Sequence, residues 1–96
     1  MNSPEAARGR YRLRDAAVSW RDVDGEVIAL DVESGEYLSL NGSGRVLWLA
    51  LVELVSIDEL GELLVETFGI SEALGRADAS TFVADLERRA LLDEVA

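Results

Sequence analysis

Two short turns, Asp24-Gly25 and Glu33-Ser34-Gly35, divide residues 18–40 into three runs in which apolar side chains recur at every second position. Asp-Gly between two alternating runs is a strong hairpin signal, because both residue types tolerate the positive φ that a tight turn needs. Alternation with a period of two predicts half-buried strands. The chain is therefore expected to contain a three-stranded antiparallel meander that ends with residues 36–40.

The register of the second hairpin depends on the length of its loop. A two-residue loop, Ser34-Gly35, would put Leu38 and Leu40 on the face opposite Ile28. A three-residue loop that closes with Gly35 in the left-handed conformation brings the large aliphatic side chains to one face. We predict the three-residue loop, with the pairs Val32–Glu36, Leu30–Leu38 and Ile28–Leu40. In both registers the N–H groups of Tyr37 and Ser39 point away from the second strand.

The second half of the chain has helical patterns. We expect a first helix from about Gly44, capped by Ser43, and residues 46–52 are apolar all round, which is typical of a buried helix. Ser56 and Glu59 form a capping box for a second, amphipathic helix that ends at Gly69.

A third helix is predicted over residues 76–89. Apolar side chains recur along it with helical spacing and form an inward stripe. The stripe consists of Ala79, Phe82, Val83, Leu86 and Ala90.

The element order β-β-β-α-α-α predicts an α+β fold that is winged-helix-like, a three-stranded antiparallel sheet followed by three helices. Residues 15–96 form the domain. Residues 1–14 are polar except for the alternation of Tyr11 and Leu13 between arginines, and they are expected to form a flexible tail or a short edge strand.

The composition excludes most catalytic chemistry. The chain has no histidine, cysteine or lysine, so the usual general bases and nucleophiles are missing. Its many carboxylates fall on predicted helix faces that are exposed to solvent. We therefore expect neither an enzyme nor a metal or other cofactor, and a binding role remains.

The charge argues against nucleic acid as a partner. The net charge is −10, and residues 53–96 carry eleven acidic side chains against three arginines, whereas a nucleic-acid-binding protein needs a basic face. The longest apolar run is far shorter than the roughly 20 residues that span a bilayer, and the N-terminus has no apolar signal segment. A cytoplasmic protein without a membrane contact is expected.

The last strand of the meander is the candidate binding site. One side of this strand is unpaired, and a free edge is normally blunted by lysine or proline, both of which are missing from "EYLSL". An extended peptide can add to such an edge as a further strand.

The stretches "LDVESGEYLSLN", "VLW" and "FVADLERRALL" resemble the precursor-peptide recognition domains of peptide natural-product biosynthesis, which include the pyrroloquinoline quinone peptide chaperone. The most similar subgroup is that of the stand-alone recognition proteins of lasso peptide pathways. The resemblance covers residues 18–92, and its most specific part is the Leu-Asp-x-x-x-Gly-x-x-x-x-Leu-Asn stretch of residues 30–41. Leu54 and Ala90 depart from it, because the family often has glycine at both positions.

The resemblance implies that the protein binds the leader segment of a ribosomally made precursor peptide as an added strand. It also implies delivery of the precursor to a separate leader peptidase, with the cyclase as a further partner. Lasso leaders commonly carry a Tyr-x-x-Pro-x-Leu motif, so apolar pockets are expected beside the edge. Carried onto this chain, the peptide-binding positions are Glu36, Tyr37, Leu38, Ser39 and Leu40 on the strand and Asp78, Thr81, Phe82, Asp85, Leu86 and Arg89 on the third helix.

Two other functions fit the same pattern of elements. A winged-helix DNA-binding regulator shares the fold class, although the acidic helical half argues against it. A structural subunit could use the open strand edge to form a homodimer.

Overall fold

The computed structural model describes residues 9–95. It contains six strands, three α-helices and a short 3-10 turn at Asp15–Ala17. The strands are β1 (Arg10–Leu13), β2 (Val18–Val23), β3 (Glu26–Asp31), β4 (Tyr37–Leu40), β5 (Val55–Ser56) and β6 (Leu92–Val95). The helices are α1 (Gly42–Ala50), α2 (Ile57–Phe68) and α3 (Glu72–Arg88). The predicted α+β class, a meander followed by three helices, is confirmed.

The meander consists of β2, β3 and β4, which pair antiparallel in that order. The first turn has the predicted form: Val23 pairs with Glu26, and Asp24 and Gly25 have φ of 50° and 81°. Both central residues thus have the positive φ of a two-residue hairpin loop. Val18 is buried on the core face of β2, and Trp20 on the same face is half-buried.

The predicted register of the second hairpin is wrong. The three pairs Val32–Glu36, Leu30–Leu38 and Ile28–Leu40 do not form, because β4 pairs one residue further along, with Ala29 opposite Leu38 and Val27 opposite Leu40.

The loop of this hairpin has four residues, 32–35, because Asp31 and Glu36 are the last hydrogen-bonded pair before the turn, and Asp31 stabilises it. The buried Asp31 carboxylate accepts hydrogen bonds from the N–H groups of Glu33 and Ser34, at 3.1 and 3.3 Å. The Asp31 carbonyl accepts another from Gly35 at 2.8 Å. These bonds satisfy polar backbone groups of the longer loop. The sequence-based prediction compared only the faces on which aliphatic side chains would lie and did not include these bonds.

The register decides which side chains of β3 enter the core. Val27 and Ala29 are fully buried, whereas Ile28 and Leu30 lie on the opposite face of the sheet. The small side chains face the core because Trp20 and the buried Trp48 of α1 occupy the space beneath the sheet, with their rings edge to face at 6.1 Å. The larger aliphatic side chains are therefore left on the outside.

Helix α1 begins earlier than predicted. Asn41 is the N-cap and Gly42 is already helical, so Ser43 is not the cap; no side chain caps this end. Leu47 and Trp48 of the helix and Leu51 at its end are buried, so the predicted contribution to the core is confirmed. Val52 is 47% exposed, so the burial of residues 46–52 is not complete.

Helix α2 has the predicted ends. Ser56 accepts from the N–H of Glu59 at 3.1 Å, and the Glu59 carboxylate accepts from the N–H of Ser56 at 2.9 Å. Gly69 ends the helix in the left-handed conformation.

Helix α3 is longer than predicted, because Ser71 caps it by accepting from the N–H of Leu74 at 3.1 Å. Ala79, Val83 and Leu86 of the predicted stripe are buried and Phe82 is half-buried. Ala90 is not part of the stripe: it is exposed, lies beyond the helix and has φ of 59°. The predicted helix ran one residue too far at this end, to Arg89, and the predicted stripe two residues too far, to Ala90.

A second small sheet joins the two ends of the described chain, with β1 in the middle between β5 and β6. Tyr11 and Leu13 of β1 are buried. Arg10–Leu13 is thus a central strand, and not the edge strand or tail that was predicted for residues 1–14. Residues 1–8 of that prediction lie outside the described residues. Arg14 reinforces the small sheet through hydrogen bonds to Asp93 at 2.8 Å and to the Leu92 carbonyl at 3.2 Å.

Within residues 9–95, no helix is long and apolar enough to cross a membrane. No group of three or more carboxylate, imidazole or thiol side chains in this part of the chain could hold a metal ion.

Candidate functional site

The site begins at β4, which is an edge strand of its sheet, since β3 pairs with one side and no described strand with the other. The N–H of Asp31 donates to the Glu36 carbonyl at 2.8 Å, so Asp31 and Glu36 are a hydrogen-bonded pair. Such pairs alternate along an antiparallel ladder, so the backbone groups of Leu38 and Leu40 also point to β3.

It follows that the N–H and C=O groups of Tyr37 and Ser39 point to the free edge. Tyr37 and Ser39 are also the outward pair in both registers predicted from the sequence. The registers differ in which residue of β3 lies opposite a given residue of β4, but in each of them Leu38 and Leu40 are the residues whose backbone bonds to β3. A row of unpaired backbone donors and acceptors can bind an added strand.

The side chains of β4 divide between the two faces of the sheet. Leu38 and Leu40 are half-buried and pack against the core, whereas Tyr37, 71% exposed, and Ser39 lie on the outer face. The Ser39 hydroxyl donates to the carboxylate of Glu26 on the neighbouring strand.

A shallow groove of about 450 Å³ lies between α1 and α3. It is close to the end of β4, because a Cβ atom at Gly44 of α1 would lie 3.3 Å from Leu40 Cδ2 and 3.8 Å from Phe82 Cε1. Leu40, Gly44 and Phe82 therefore meet where β4 leads into α1. The groove is lined by Ser43, Gly44, Leu47, Asp78, Thr81, Phe82, Asp85 and Arg88.

Most of the predicted α3 positions lie together along this groove. Asp78, Thr81, Phe82 and Asp85 line it, whereas Leu86 is buried in the core. The α1 residues Ser43, Gly44 and Leu47 were not among the predicted site residues. The glycine at Gly44, just inside an apolar helix, is the sequence signal that could have indicated a close approach there.

Ion pairs connect the rim of the groove to β4. Asp85 pairs with Arg88 at 2.7 Å and with Arg89 at 3.4 Å, and Arg89 lies 3.5 Å from the carboxylate of Glu36. Of the predicted positions, Glu36 and Arg89 thus contact each other across the gap between the strand and the helix.

A second hollow, of about 500 Å³, lies between α2 and α3. The charged residues of its lining are acidic apart from Arg76, which pairs with Asp58, and none of its lining residues belongs to β4. It therefore offers no free backbone edge to a peptide, and the groove beside β4 is the better candidate.

A bidentate ion pair holds α1 against the first hairpin. Arg45 donates to both carboxylate oxygens of Asp22, at 2.9 and 2.7 Å. These hydrogen bonds lower the pKa of Asp22 and raise the pKa of Arg45. Burial is the main cause of the raised pKa of Tyr11, to which Glu87 and Glu94 add by their negative charge. Neither Asp22 nor Tyr11 lines the groove.

These features define the class of the protein, a winged-helix-like α+β recognition domain with an open strand edge beside an apolar and charged groove. Residues 26–92, more than half of the chain, match the family model described as "Coenzyme PQQ synthesis protein D (PqqD)". The chain therefore belongs to the PqqD family, and the resemblance to precursor-peptide recognition domains is confirmed.

Two solved structures have the same fold. The structure described as "TbiB1 in Complex with the TbiA(beta) Leader Peptide" has a TM-score of 0.78 and 25% sequence identity, over 88% of this chain and 98% of that one. "Lasso peptide synthetase B1 complexed with the leader peptide" has a TM-score of 0.74 and 23% identity, over 86% of this chain and 96% of that one. No curated protein sequence matches the chain.

Proposed function

We propose that this protein binds the leader segment of a ribosomally made precursor peptide, which adds as an antiparallel strand to β4 and packs against α3. Membership of the PqqD family supports this function, as does the likeness to a TbiB1 structure that contains a leader peptide. The observation that carries it is the free edge at Tyr37 and Ser39, beside the groove where Leu40 and Phe82 meet.

The chemistry of the site favours an extended, partly apolar peptide. The half-buried side chains of Leu38, Leu40 and Phe82 offer apolar contacts, and the rim carries both signs of charge, with Asp78 and Asp85 facing the same groove as Arg88. A leader would place every second side chain towards these contacts, because side chains alternate along a strand.

The expected energies are sufficient for tight binding. Four backbone hydrogen bonds at Tyr37 and Ser39, at about 1 kcal/mol each, contribute roughly 4 kcal/mol. Three buried apolar side chains of the peptide, at about 2 kcal/mol each, add roughly 6 kcal/mol. Part of this is lost when a disordered leader becomes ordered, which leaves micromolar to nanomolar affinity within reach.

In this proposal the protein is not itself a catalyst. It holds the leader so that a separate leader peptidase can act on the precursor, and a cyclase then forms the lasso. The absence of histidine, cysteine and lysine from the chain supports a role in binding.

Calorimetric titration with a synthetic leader from the cognate precursor tests the proposed function. A scrambled leader of the same composition is the control, since it has the same charge and hydropathy. We expect saturable one-to-one binding of the leader and none of the scrambled peptide. Equal affinity for both peptides would contradict sequence-specific leader binding.

The same preparation can test the alternative of DNA binding. Helix α3 carries exposed acidic side chains, and the net charge of −10 repels phosphate. We expect no shift of promoter DNA in a gel at low salt, and tight, salt-sensitive binding would favour the alternative.

A further inference from the structure

Helix α3 and strand β4 run in opposite directions along the groove. At one end, Leu40 and Phe82 meet at Gly44, where a Cβ atom would lie 3.3 Å from Leu40 Cδ2 and 3.8 Å from Phe82 Cε1. At the other end, the Arg89 guanidinium lies 3.5 Å from the Glu36 carboxylate. The two paths have similar lengths, because seven helical residues rise about 10 Å and four strand residues about 13 Å.

This arrangement fixes which end of a leader would meet which part of α3. A leader that adds antiparallel to β4 would run in the same direction as α3, since both run opposite to β4. Its N-terminal part would lie beside the earlier residues of α3, and its C-terminal part would lie beside Arg88 and Arg89. An apolar leader side chain packed between Leu40 and Phe82 would be the fixed point between these two parts.

Asp78 is the charged side chain at the earlier end of the groove. It is exposed, lines the groove and lies four positions before Phe82, so the two residues are neighbours on one face of α3. Within residues 9–95 no arginine forms an ion pair with Asp78. The N-terminus of α1 adjoins this end at Ser43, but its partial charge of about +0.5 is smaller than that of a carboxylate. This end of the groove is therefore negative.

The charges at the other end of the groove balance one another. Asp85 pairs with Arg88 at 2.7 Å and with Arg89 at 3.4 Å, and Arg89 also pairs with Glu36. A charged leader side chain at this end would have to displace one of these partners. The attraction for a cation is consequently strongest at Asp78, which faces the N-terminal part of the leader.

On the basis of the proposed leader binding, we propose that Asp78 determines specificity for a leader with lysine or arginine about two residues before the apolar side chain bound between Leu40 and Phe82. From Phe82 back to Asp78 the helix spans about 6 Å, which is the length of about two residues of a strand. Side chains two positions apart on a strand share a face, so both would point towards α3.

The same ion pair would favour the antiparallel direction of the leader. A leader bound in the parallel direction would carry its cation to the opposite side of Phe82, beside Arg88. Like charges repel there, and the carboxylate of Asp85 is already paired with Arg88. Asp78 thus distinguishes both the sequence and the direction of the bound peptide.

The test is a set of double-mutant cycles between the protein and its cognate leader. Asp78→Asn removes the charge and keeps the size of the side chain. Glu62→Gln is the control, because it removes one exposed carboxylate of α2 that does not line the groove. Each lysine and arginine of the leader is replaced in turn by glutamine, and calorimetry measures every combination at low and at high salt.

A second set of cycles identifies the leader residue that packs against Phe82. Each apolar leader residue is replaced in turn by alanine and is measured with the parent and with Phe82→Leu, which keeps an apolar side chain at this position. The leader residue whose replacement is coupled to Phe82→Leu marks the fixed point from which the position of the cation is counted.

We expect Asp78→Asn to weaken leader binding about two- to fivefold at low salt, which is the effect of an exposed ion pair. The effect should be smaller at high salt, because salt screens exposed charges. It should vanish when one particular cation of the leader is glutamine, and that cation should lie about two residues N-terminal of the residue coupled to Phe82. Glu62→Gln should bind every leader like the parent.

Four results would overturn the role of Asp78 while leader binding stands. They are equal binding of the leader by the parent and Asp78→Asn, an equal loss in Glu62→Gln, a cognate leader without a cation before the residue at Phe82, and coupling of Asp78 to a cation on the C-terminal side of that residue. If the leader does not bind the parent at all, the proposed function fails, and the role of Asp78 fails with it.

Discussion

The guanidinium of Arg89 lies 3.5 Å from the carboxylate of Glu36, so one ion pair joins the end of α3 to the start of β4. Arg89 also lies 3.4 Å from Asp85, a lining residue of the groove. The Arg89 side chain thus connects the strand and the helix that are proposed to hold the leader.

Asp85→Ala and Arg89→Ala should each weaken leader binding and change the free energy of unfolding by less than about 1 kcal/mol, because exposed ion pairs contribute little to stability. Calorimetry with the leader and urea denaturation measure the two effects. Unchanged affinity in both variants would remove this pair from the site.

Ala90→Gly should stabilise the protein. Ala90 has φ of 59°, a left-handed conformation that costs a residue with a Cβ atom about 1 kcal/mol relative to glycine. Ala84→Gly, at an exposed position inside α3, is the matched control and should destabilise by about 1 kcal/mol. Urea denaturation measures the free energy of unfolding of both variants. If both were more stable than the parent, or both less stable, the left-handed conformation assigned to Ala90 would be contradicted.

Gly75→Ala should destabilise the protein by about 1–3 kcal/mol, the usual cost of overpacking. An added Cβ would lie 2.8 Å from the Gly61 carbonyl oxygen and 3.1 Å from Val65 Cγ2. Helices α2 and α3 would therefore have to move apart. Thermal unfolding measures the loss, and a variant as stable as the parent would show that the contact between the helices is looser than the structure has it.

The capping box of α2 should make stability depend on pH. The Ser56 N–H that donates to Glu59, with help from Arg10, lowers the pKa of Glu59 below its ordinary value of 4.5. A carboxylate with a lowered pKa stabilises the fold above its ordinary value, and this contribution is lost as the pH falls through the folded-state pKa.

Glu59→Gln is the variant that isolates this effect. The difference in unfolding free energy between parent and variant should be largest near neutral pH and should shrink below about pH 4.5. Urea denaturation at a series of pH values measures it. A difference that stays constant across the acidic range would show that the Glu59 charge does not contribute.

The features predicted well from the sequence are those that depend on a few neighbouring residues. The Asp24-Gly25 turn, the capping box of Ser56 and Glu59 and the helix end at Gly69 have their causes within four positions of chain. The direction of the Tyr37 and Ser39 N–H groups, away from β3, could also be predicted from the sequence. Backbone N–H groups alternate in direction along a strand, so this result was the same in every register that was considered.

The features that were missed depend on distant parts of the chain. The Asp31 carboxylate stabilises a longer loop than was predicted. The indole of Trp48 beneath the sheet favours Val27 and Ala29 at the core. The prediction, which placed the larger aliphatic side chains of β3 in the core, therefore assigned the wrong face. The small sheet unites Arg10–Leu13 with Leu92–Val95, and no local pattern in either segment indicates its partner.

The central claim, strand addition at β4, is tested most directly by a leader titration of Ser39→Pro beside Ser39→Ala. Proline removes the outward N–H and is tolerated on the open side of an edge strand, whereas alanine removes only the hydroxyl that bonds to Glu26. Leu38→Pro, which breaks an internal ladder bond, should instead damage folding, as circular dichroism would show.

We expect Ser39→Ala to bind the leader like the parent and Ser39→Pro, with its circular dichroism spectrum retained, to bind about tenfold or more weakly, through one lost hydrogen bond and crowding by the ring. A folded Ser39→Pro variant that binds the leader as tightly as the parent would contradict strand addition at this edge.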